Sequence, residues 1–152
     1  SQIPGARGIC PAGWHIPTDE EINILEVYTL NKINSSAPQY PCDVFTIGSR
    51  CADNNGTMGG GEKGVGKSFK GVGIGTGVGV GDDLVGFNAK LPGYFHGEVS
   101  SFFGYGNYLL LWSSTPTLSS RVLYRYLDSE YSVSYRDSNY RLFGFSVCCL
   151  QD

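Results

Sequence analysis

Charge is scarce in this chain: only 16% of its 152 residues are Asp, Glu, Lys or Arg, and the formal net charge is −3. No basic stripe is available to neutralise phosphates, so nucleic acid is not an expected partner. No run of about 18 apolar residues occurs, so no direct membrane insertion is expected. Ser1 to Gly8 lack the charged-then-apolar order of a secretory signal, and without an initiator Met a processed product or fragment is expected. Histidine stands only at His15 and His96, which leaves few groups for general-base chemistry near neutral pH. C-x-x-C pairs are missing and the histidines are not spaced as ligands, so neither a metal nor another cofactor is expected. The low charge does not mean disorder. With 41% hydrophobic residues, the chain has the composition and length of one domain over 1–152 with a real core.

What is abundant is glycine, at 22 positions, and tyrosine, at 10. Half of the glycines lie in 59–81, which reads as a Gly-rich insertion. Within it, Gly71 to Gly81 places Gly at every odd position, with Val72, Ile74, Thr76, Val78 and Val80 between them. Such alternation fits a strand with one β-branched face and one bare face, open to a second backbone. It fits a mobile glycine-rich insertion equally. Gly61 to Ser68 matches G-x-x-x-x-G-K-[ST], but the preceding residues are polar and those after Phe69 alternate with glycine. A phosphate-binding loop needs a buried strand before the motif and a helix after it, so the match reads as chance. The Gly59-x-Gly61-x-x-Gly64 spacing fails for the same reason.

The five cysteines are Cys10, Cys42, Cys51, Cys148 and Cys149. Cys42 and Cys51 flank a short polar segment suited to a small disulfide ring. Cys10 with Cys149 would join the two ends of the chain, leaving Cys148 free; closing so long a loop would stabilise by roughly 4–5 kcal/mol. Which of the adjacent pair bonds Cys10 is open, as is the alternative of buried reduced thiols in a cytosolic protein.

Thr18 with Glu21 forms a capping box, Asp19 and Glu20 suit a helix N-terminus, and Ile22, Ile24, Leu25, Val27 and Tyr28 recur at helical spacing. A helix over Asp19–Asn31 is expected. Strands are expected near Leu84–Ala89, Tyr108–Ser113, Arg121–Leu127, Ser132–Tyr135 and Gly144–Leu150, giving an α+β class with short, mainly antiparallel strands and one N-terminal helix. The Asn34-Ser-Ser36 and Asn55-Gly-Thr57 triplets fit glycan acceptors but mark polar loops at best. His15 reads as structural, His96 has no nucleophile beside it, and Asp82-Asp83 reads as a solvated pair.

Four segments, in order along the chain, carry a resemblance. Gly8-Ile-Cys-Pro-Ala-Gly-Trp-His-Ile-Pro-Thr-Asp-Glu-Glu21 resembles the opening of the Fibrobacter succinogenes major paralogous domain. Gly86-Phe-Asn-Ala-Lys-Leu-Pro-Gly93 is similar to its G-F-S-A-L-P-G segment. Leu111-Trp-Ser-Ser-Thr-Pro116 and Gly144-Phe-Ser-Val-Cys-Cys-Leu150 resemble its W-S-S-T element and closing G-F-S-V-R-C-V run. The sequence departs at Cys148, where Arg is usual, and at Ile22, where an aromatic is common. The resemblance implies a C-type-lectin-like fold with adjacent chain ends, shared with variable proteins of diversity-generating retroelements and with formylglycine-generating enzymes. The E-P-N, Q-P-D and W-N-D elements of calcium-dependent sugar sites are missing, as is the cysteine pattern of the formylglycine generators.

In the retroelement proteins, the stretch between W-S-S and G-F-S-V is the diversified ligand surface. Here Thr117 to Phe143 holds five Tyr, six Ser and four Arg in 27 residues. Tyr and Arg supply rigid contact area and Ser adaptable hydrogen bonds. With Leu123, Leu127 and Val133 facing the core, Tyr124, Tyr126, Ser132 and Ser134 would point outward, and Arg125 would fall inward without an evident partner. Asp128, Glu130, Tyr131, Tyr135, Asp137, Ser138, Asn139, Tyr140 and Leu142 complete the expected patch. The expected function is a non-catalytic binding domain, displayed extracellularly on a cell or virion surface. Its ligand would be a protein or glycan on another cell or virus, and a homo-oligomer is possible. Two alternatives stand beside it: Tyr and Ser merely decorate ordinary strands, or the domain is an assembly protein that uses Gly71–Gly81 for contacts between chains.

Overall fold

The computed structural model describes residues 7–33, 64–117 and 120–152. The Cys42–Cys51 ring and both glycan-type triplets lie outside these residues.

The first helix, α1 (Asp19–Ile33), starts where its capping residues place it and runs just past the expected Asn31. The Glu21 backbone N–H donates to Thr18 Oγ1 at 3.1 Å, and the Glu21 carboxylate accepts from the Thr18 N–H at 2.7 Å. This is the reciprocal capping box read from the sequence. A second segment secures the same turn: the Asp19 N–H donates to Thr115 Oγ1 at 2.9 Å, and the Ser114 N–H to the Pro17 carbonyl at 2.8 Å. The W-S-S-T element therefore holds the entry of the helix that follows the other signature.

Among the described residues, three antiparallel sheets accompany α1. The largest has the order β4 (Tyr108–Pro116), β5 (Arg121–Asp128), β6 (Ser134–Tyr140). A hairpin pairs β2 (Tyr94–His96) with β3 (Ser101–Phe103). At the chain ends β1 (Trp14–His15) pairs with β7 (Leu150–Gln151), and the Cys10–Cys149 disulfide closes the same junction. Among the described residues Cys148 is the free thiol and is half-buried; burial pushes its pKa up, which disfavours the reactive thiolate.

The strands expected near Tyr108 and Arg121 are present. Leu84–Ala89 is not a strand: Asp83, Gly86 and Asn88 all have positive φ, and the Asn88 N–H donates to the Asp83 carboxylate at 2.6 Å. Gly144–Leu150 forms only its end, in β7. Its first residues instead make single bridges, Gly144 to Phe95 and Ser146 to Leu111, that lace β2 to β4. The last strand of the sheet starts at Ser134 and runs to Tyr140, later and longer than expected.

The core between α1 and the sheet joins Val27, Leu30, Val65, Phe69, Leu109, Leu111 and Leu127. Beside it lies a buried charge cluster. Arg125 and Arg136 are directly opposed on β5 and β6. Asp19 of α1 lies between them, accepting from Arg125 Nη1 at 2.6 Å and Arg136 Nη2 at 2.7 Å. Glu26, about two turns along the same face of α1, accepts from Arg125 Nε at 2.9 Å and Ser134 Oγ at 2.8 Å. Burial alone would depress the Arg125 pKa, but Glu26 and Asp19 hold it above its ordinary value. Two positive and two negative groups thus leave the cluster balanced, and Arg125 has its partners.

Gly71–Gly81 is neither an extended strand nor a loose insertion. It folds back on itself around a 3₁₀ turn at Gly77–Gly79, with the Gly81 N–H donating to the Ile74 carbonyl at 2.8 Å. The loop rests on the turn between β5 and β6: the Thr76 N–H donates to the Ser129 carbonyl at 2.8 Å. A Cβ at Gly75 or Gly79 would collide with the Ser129 carbonyl, so the bare positions are where two backbones meet. Gly66 of the false phosphate loop has the same role. It lies in α2 (Val65–Phe69), against the Val133 carbonyl. Fully buried Lys70 completes this support, donating through Nζ to the carbonyls of Asp128 at 2.5 Å and Tyr131 at 2.8 Å. Desolvation lowers its pKa to about 8, although Asp128 opposes that shift.

Candidate functional site

The face of β4–β5–β6 turned away from α1 is aromatic. Pairing brings Trp112 opposite Tyr124, and Tyr126 opposite both Leu110 and Tyr135. Tyr126 lies between Tyr108 and Tyr135, at 5.4 Å from each ring. Phe145, carried past β4 by the Ser146 bridge, stacks on Trp112 at 4.3 Å and approaches Tyr124 at 4.9 Å. The β2 hairpin closes the side, with Tyr94 edge-on to Phe145 at 86° and His96 against Phe143 at 4.5 Å.

These rings surround a cavity of about 420 Å³. Strand β2 contributes Tyr94 and His96, β4 Tyr108 and Leu110, β5 Tyr124 and Tyr126, and β6 Asn139; Phe143 and Phe145 follow from the chain beyond β6. The size suits a small ligand or one inserted side chain. Its polar groups are distinctive. His96 Nδ1 is buried with no hydrogen-bond partner among the described residues. The Tyr126 hydroxyl donates to Asp128 Oδ2 at 2.8 Å; burial first, and then that carboxylate, push the Tyr126 phenol pKa upward. Burial and the charge of Asp137 raise Tyr124 to about 12. Both phenols therefore stay neutral across physiological pH.

The residues expected to form the patch divide. Tyr124, Tyr126 and Asn139 line the cavity. Tyr135 and Asp137 stand on the same face and are exposed, while Glu130, Tyr131, Tyr140 and Leu142 are exposed around it. Tyr140 lies under the Arg121 guanidinium at 4.6 Å. Four residues are inside. Asp128 is buried, with both carboxylate oxygens engaged, by Tyr126 and by the Glu130 N–H. Ser132, Ser134 and Ser138 are also buried. The expected outward direction of Ser132 and Ser134 is thus corrected. Ser134 pairs with Leu127 and shares its inward face, while Ser132 and Val133 belong to the turn, packed on α2.

Tyr94, His96, Tyr108, Phe143 and Phe145 were not among the expected ligand residues. The signal available for them was aromatic density, with Tyr94, Phe95, Phe102, Phe103, Tyr105 and Tyr108 crowded into a short stretch.

A second cavity, about 430 Å³, lies on the opposite side, between α1 and the sheet. Its walls are apolar side chains such as Ile22, Leu25, Phe87 and Leu111. The charged groups at its edge, Glu21 and Arg125, are already engaged by Thr18 and His15 and by Asp19 and Glu26. Among the described residues no buried polar atom without a partner belongs to its lining, so the aromatic cavity is the better candidate. Among the described residues no cluster of His, Cys, Asp and Glu is arranged to hold a metal ion, and no helix is long and apolar enough to cross a membrane.

No curated protein and no solved structure matches this chain. A family model does, over residues 1–151. Its extent covers the capping box, the W-S-S-T element that secures it, and the closing segment that completes the aromatic wall: the chain belongs to the Fibrobacter succinogenes major domain family.

Proposed function

We propose that this chain is a non-catalytic ligand-binding domain of C-type-lectin-like architecture. Its recognition surface is the aromatic face of β4–β5–β6, and the outward positions of 117–143 are its diversified part, as in retroelement variable proteins. The ligand is a protein or glycan on another cell or virus, and the domain is displayed outside the cell, on a cell or virion surface. One observation carries the reading: chain segments distant in sequence converge on a single aromatic cavity with an unsatisfied polar atom. A sheet whose tyrosines were mere decoration would not gather them around a cavity. The Cys10–Cys149 bridge suits an oxidising compartment.

The test is array binding. The domain should capture a subset of immobilised peptides or glycans, and Tyr124→Ala, Tyr126→Ala and Tyr135→Ala together should abolish capture while a cooperative thermal transition remains. Undiminished capture by the triple variant would place recognition elsewhere. Diversification is tested in the DNA: a near-copy of the Trp112–Cys149 coding region beside a reverse transcriptase, differing mainly at adenines, is expected.

The assembly reading retains one observation of its own, since Val72 and Val78 are 79% and 50% exposed. Of the bare glycine positions it first relied on, Gly71, Gly75, Gly79 and Gly81 meet other parts of the chain, while Gly73 and Gly77 face open space. Light scattering on Val72→Ser with Val78→Ser separates the two: an oligomer that dissociates would favour assembly.

A further inference from the structure

We infer that the aromatic cavity selects an organic cation, an ammonium or guanidinium group presented by the ligand, over neutral and anionic groups. The inference rests on the reading of this cavity as the ligand site and adds the chemistry it prefers.

Three features of the cavity point to it. The rings that line it are inclined to one another, from 41° for Tyr94 and His96, through 58° for Tyr124 and Phe145 and 64° for His96 and Phe143, to 86° for Tyr94 and Phe145. Rings so inclined form corners, which present π-faces and edges from several directions. That suits a compact cation more than a flat ring, which would need parallel walls. Secondly, the carboxylates nearest the lining are Asp137 and Asp128, the second of them partly offset by buried Lys70. No Lys or Arg lines it among the described residues. Asp137 faces Tyr124 across the β5–β6 pair, and Asp128 holds the Tyr126 hydroxyl. The described arginines of this region are committed elsewhere: Arg125 and Arg136 to the cluster under α1, Arg121 to Tyr140, while Arg141 lines a separate recess with Trp112 and Val147. An anion entering here would find no Lys or Arg in the lining and the exposed carboxylate of Asp137 beside Tyr124.

The third feature is direction. His96 lines the cavity, and its buried Nδ1 has no hydrogen-bond partner among the described residues. In the tautomer protonated at Nε2 it accepts a hydrogen bond, which an N–H of the cation would supply. Asn139 Oδ1 already accepts from the Tyr140 N–H at 2.8 Å, whereas the buried His96 Nδ1 has no partner among the described residues. Seating a charged N–H among rings and opposite this nitrogen removes the penalty of a buried unpaired atom.

A matched probe series tests this: cyclohexylammonium, cyclohexanol and cyclohexanecarboxylate, titrated at neutral pH against the folded chain. Aromatic NMR signals of Tyr94, Tyr124 and Phe145 report occupancy. The ammonium is expected to bind about tenfold more tightly than the alcohol, and the carboxylate not at all. Asp137 is exposed, so Asp137→Asn should keep the fold while weakening the ammonium several-fold and sparing the alcohol. Binding of alcohol or carboxylate as tight as that of the ammonium would overturn the cation preference and leave the cavity as the ligand site. Silence from all three probes while array capture persists would overturn the inference alone; silence together with failed capture would remove both readings.

Discussion

The two faces of the β4–β5–β6 sheet are built from the same strands by opposite means. Toward α1, the strands present Leu109, Leu111 and Leu127 together with Arg125, Ser134 and Arg136, and every charge there meets a partner on the helix. Away from α1 they present Tyr108, Trp112, Tyr124, Tyr126 and Tyr135, packed mainly ring against ring. One face is a closed electrostatic account in which each group depends on the others. The other is a set of large, weakly coupled surfaces whose members can be exchanged one at a time. A sheet with that division could vary its aromatic face without losing its helix, as the proposed recognition role requires.

The largest expected effect breaks the helix-side face. Asp19→Ala removes the carboxylate shared by Arg125 and Arg136 and leaves both guanidinium groups under-compensated in the interior. A loss of about 3–5 kcal/mol is expected, read as a lower urea midpoint with an unchanged slope. A loss below about 1 kcal/mol would mean that apolar packing alone holds the helix to the sheet, and the contrast between the faces would fail.

Next comes the turn that both faces share. Gly79→Ala places a methyl group against the Ser129 carbonyl and the Glu130–Tyr131 peptide. The expected loss is about 2–3 kcal/mol, measured by thermal unfolding. Because Ser129 to Tyr131 join β5 to β6, the variant should also weaken ligand capture. Val78→Ala, on the exposed side of the same loop, should do neither.

The aromatic face should respond in the reverse way. Tyr135 is exposed and touches the Tyr126 ring at 5.4 Å. Tyr135→Ser should change stability by no more than about 0.5 kcal/mol yet reduce array capture several-fold. A stability loss as large as that of Asp19→Ala would show that the aromatic face is core, not recognition surface.

The contrast also explains what could be read from sequence. On β5 the alternation is legible because two inward positions, Leu123 and Leu127, are apolar and their neighbours Tyr124 and Tyr126 are not. On β6 the inward positions are Ser134, Arg136 and Ser138. Hydropathy cannot mark a face whose burial is compensated by charge and hydrogen bonds, and only the pairing of Leu127 with Ser134 reveals it. The helix was legible because its signals, Thr18 and Glu21, act within one turn. The glycine alternation misled because period alone does not say what the bare side meets, and its partner lies about fifty residues further along the chain. Likewise, the cavity's far wall comes from Tyr94, His96, Phe143 and Phe145, which reach the site through the isolated bridges of Gly144 and Ser146. Such bridges leave no local pattern.

The smallest effect belongs to a charge contact outside both faces, and it sharpens what burial contributes to the clamp under α1. His15 of β1 lies between Asp152, 2.6 Å from Nδ1, and Glu21, 3.1 Å from Nε2. The Asp152 hydrogen bond, opposed by slight desolvation and reinforced by Glu21, raises the His15 pKa above its ordinary value. Burial pushes the Glu21 carboxyl up, but hydrogen bonds from Thr18 and His15 outweigh this and hold it low, so it is ionised while His15 titrates. A histidine whose folded pKa is raised binds its proton more tightly in the native state. Its contribution is therefore complete below the unfolded value of about 6.5 and disappears as pH rises through the raised folded value. Wild type should exceed His15→Gln in denaturation midpoint at mildly acidic pH, and the two curves should converge in the alkaline range. Because this site is open to solvent, added salt should shrink the difference, whereas the loss caused by Asp19→Ala should persist in salt. If both effects are screened alike, the Arg125–Arg136 cluster is not the dry, balanced interior that separates the two faces of the sheet.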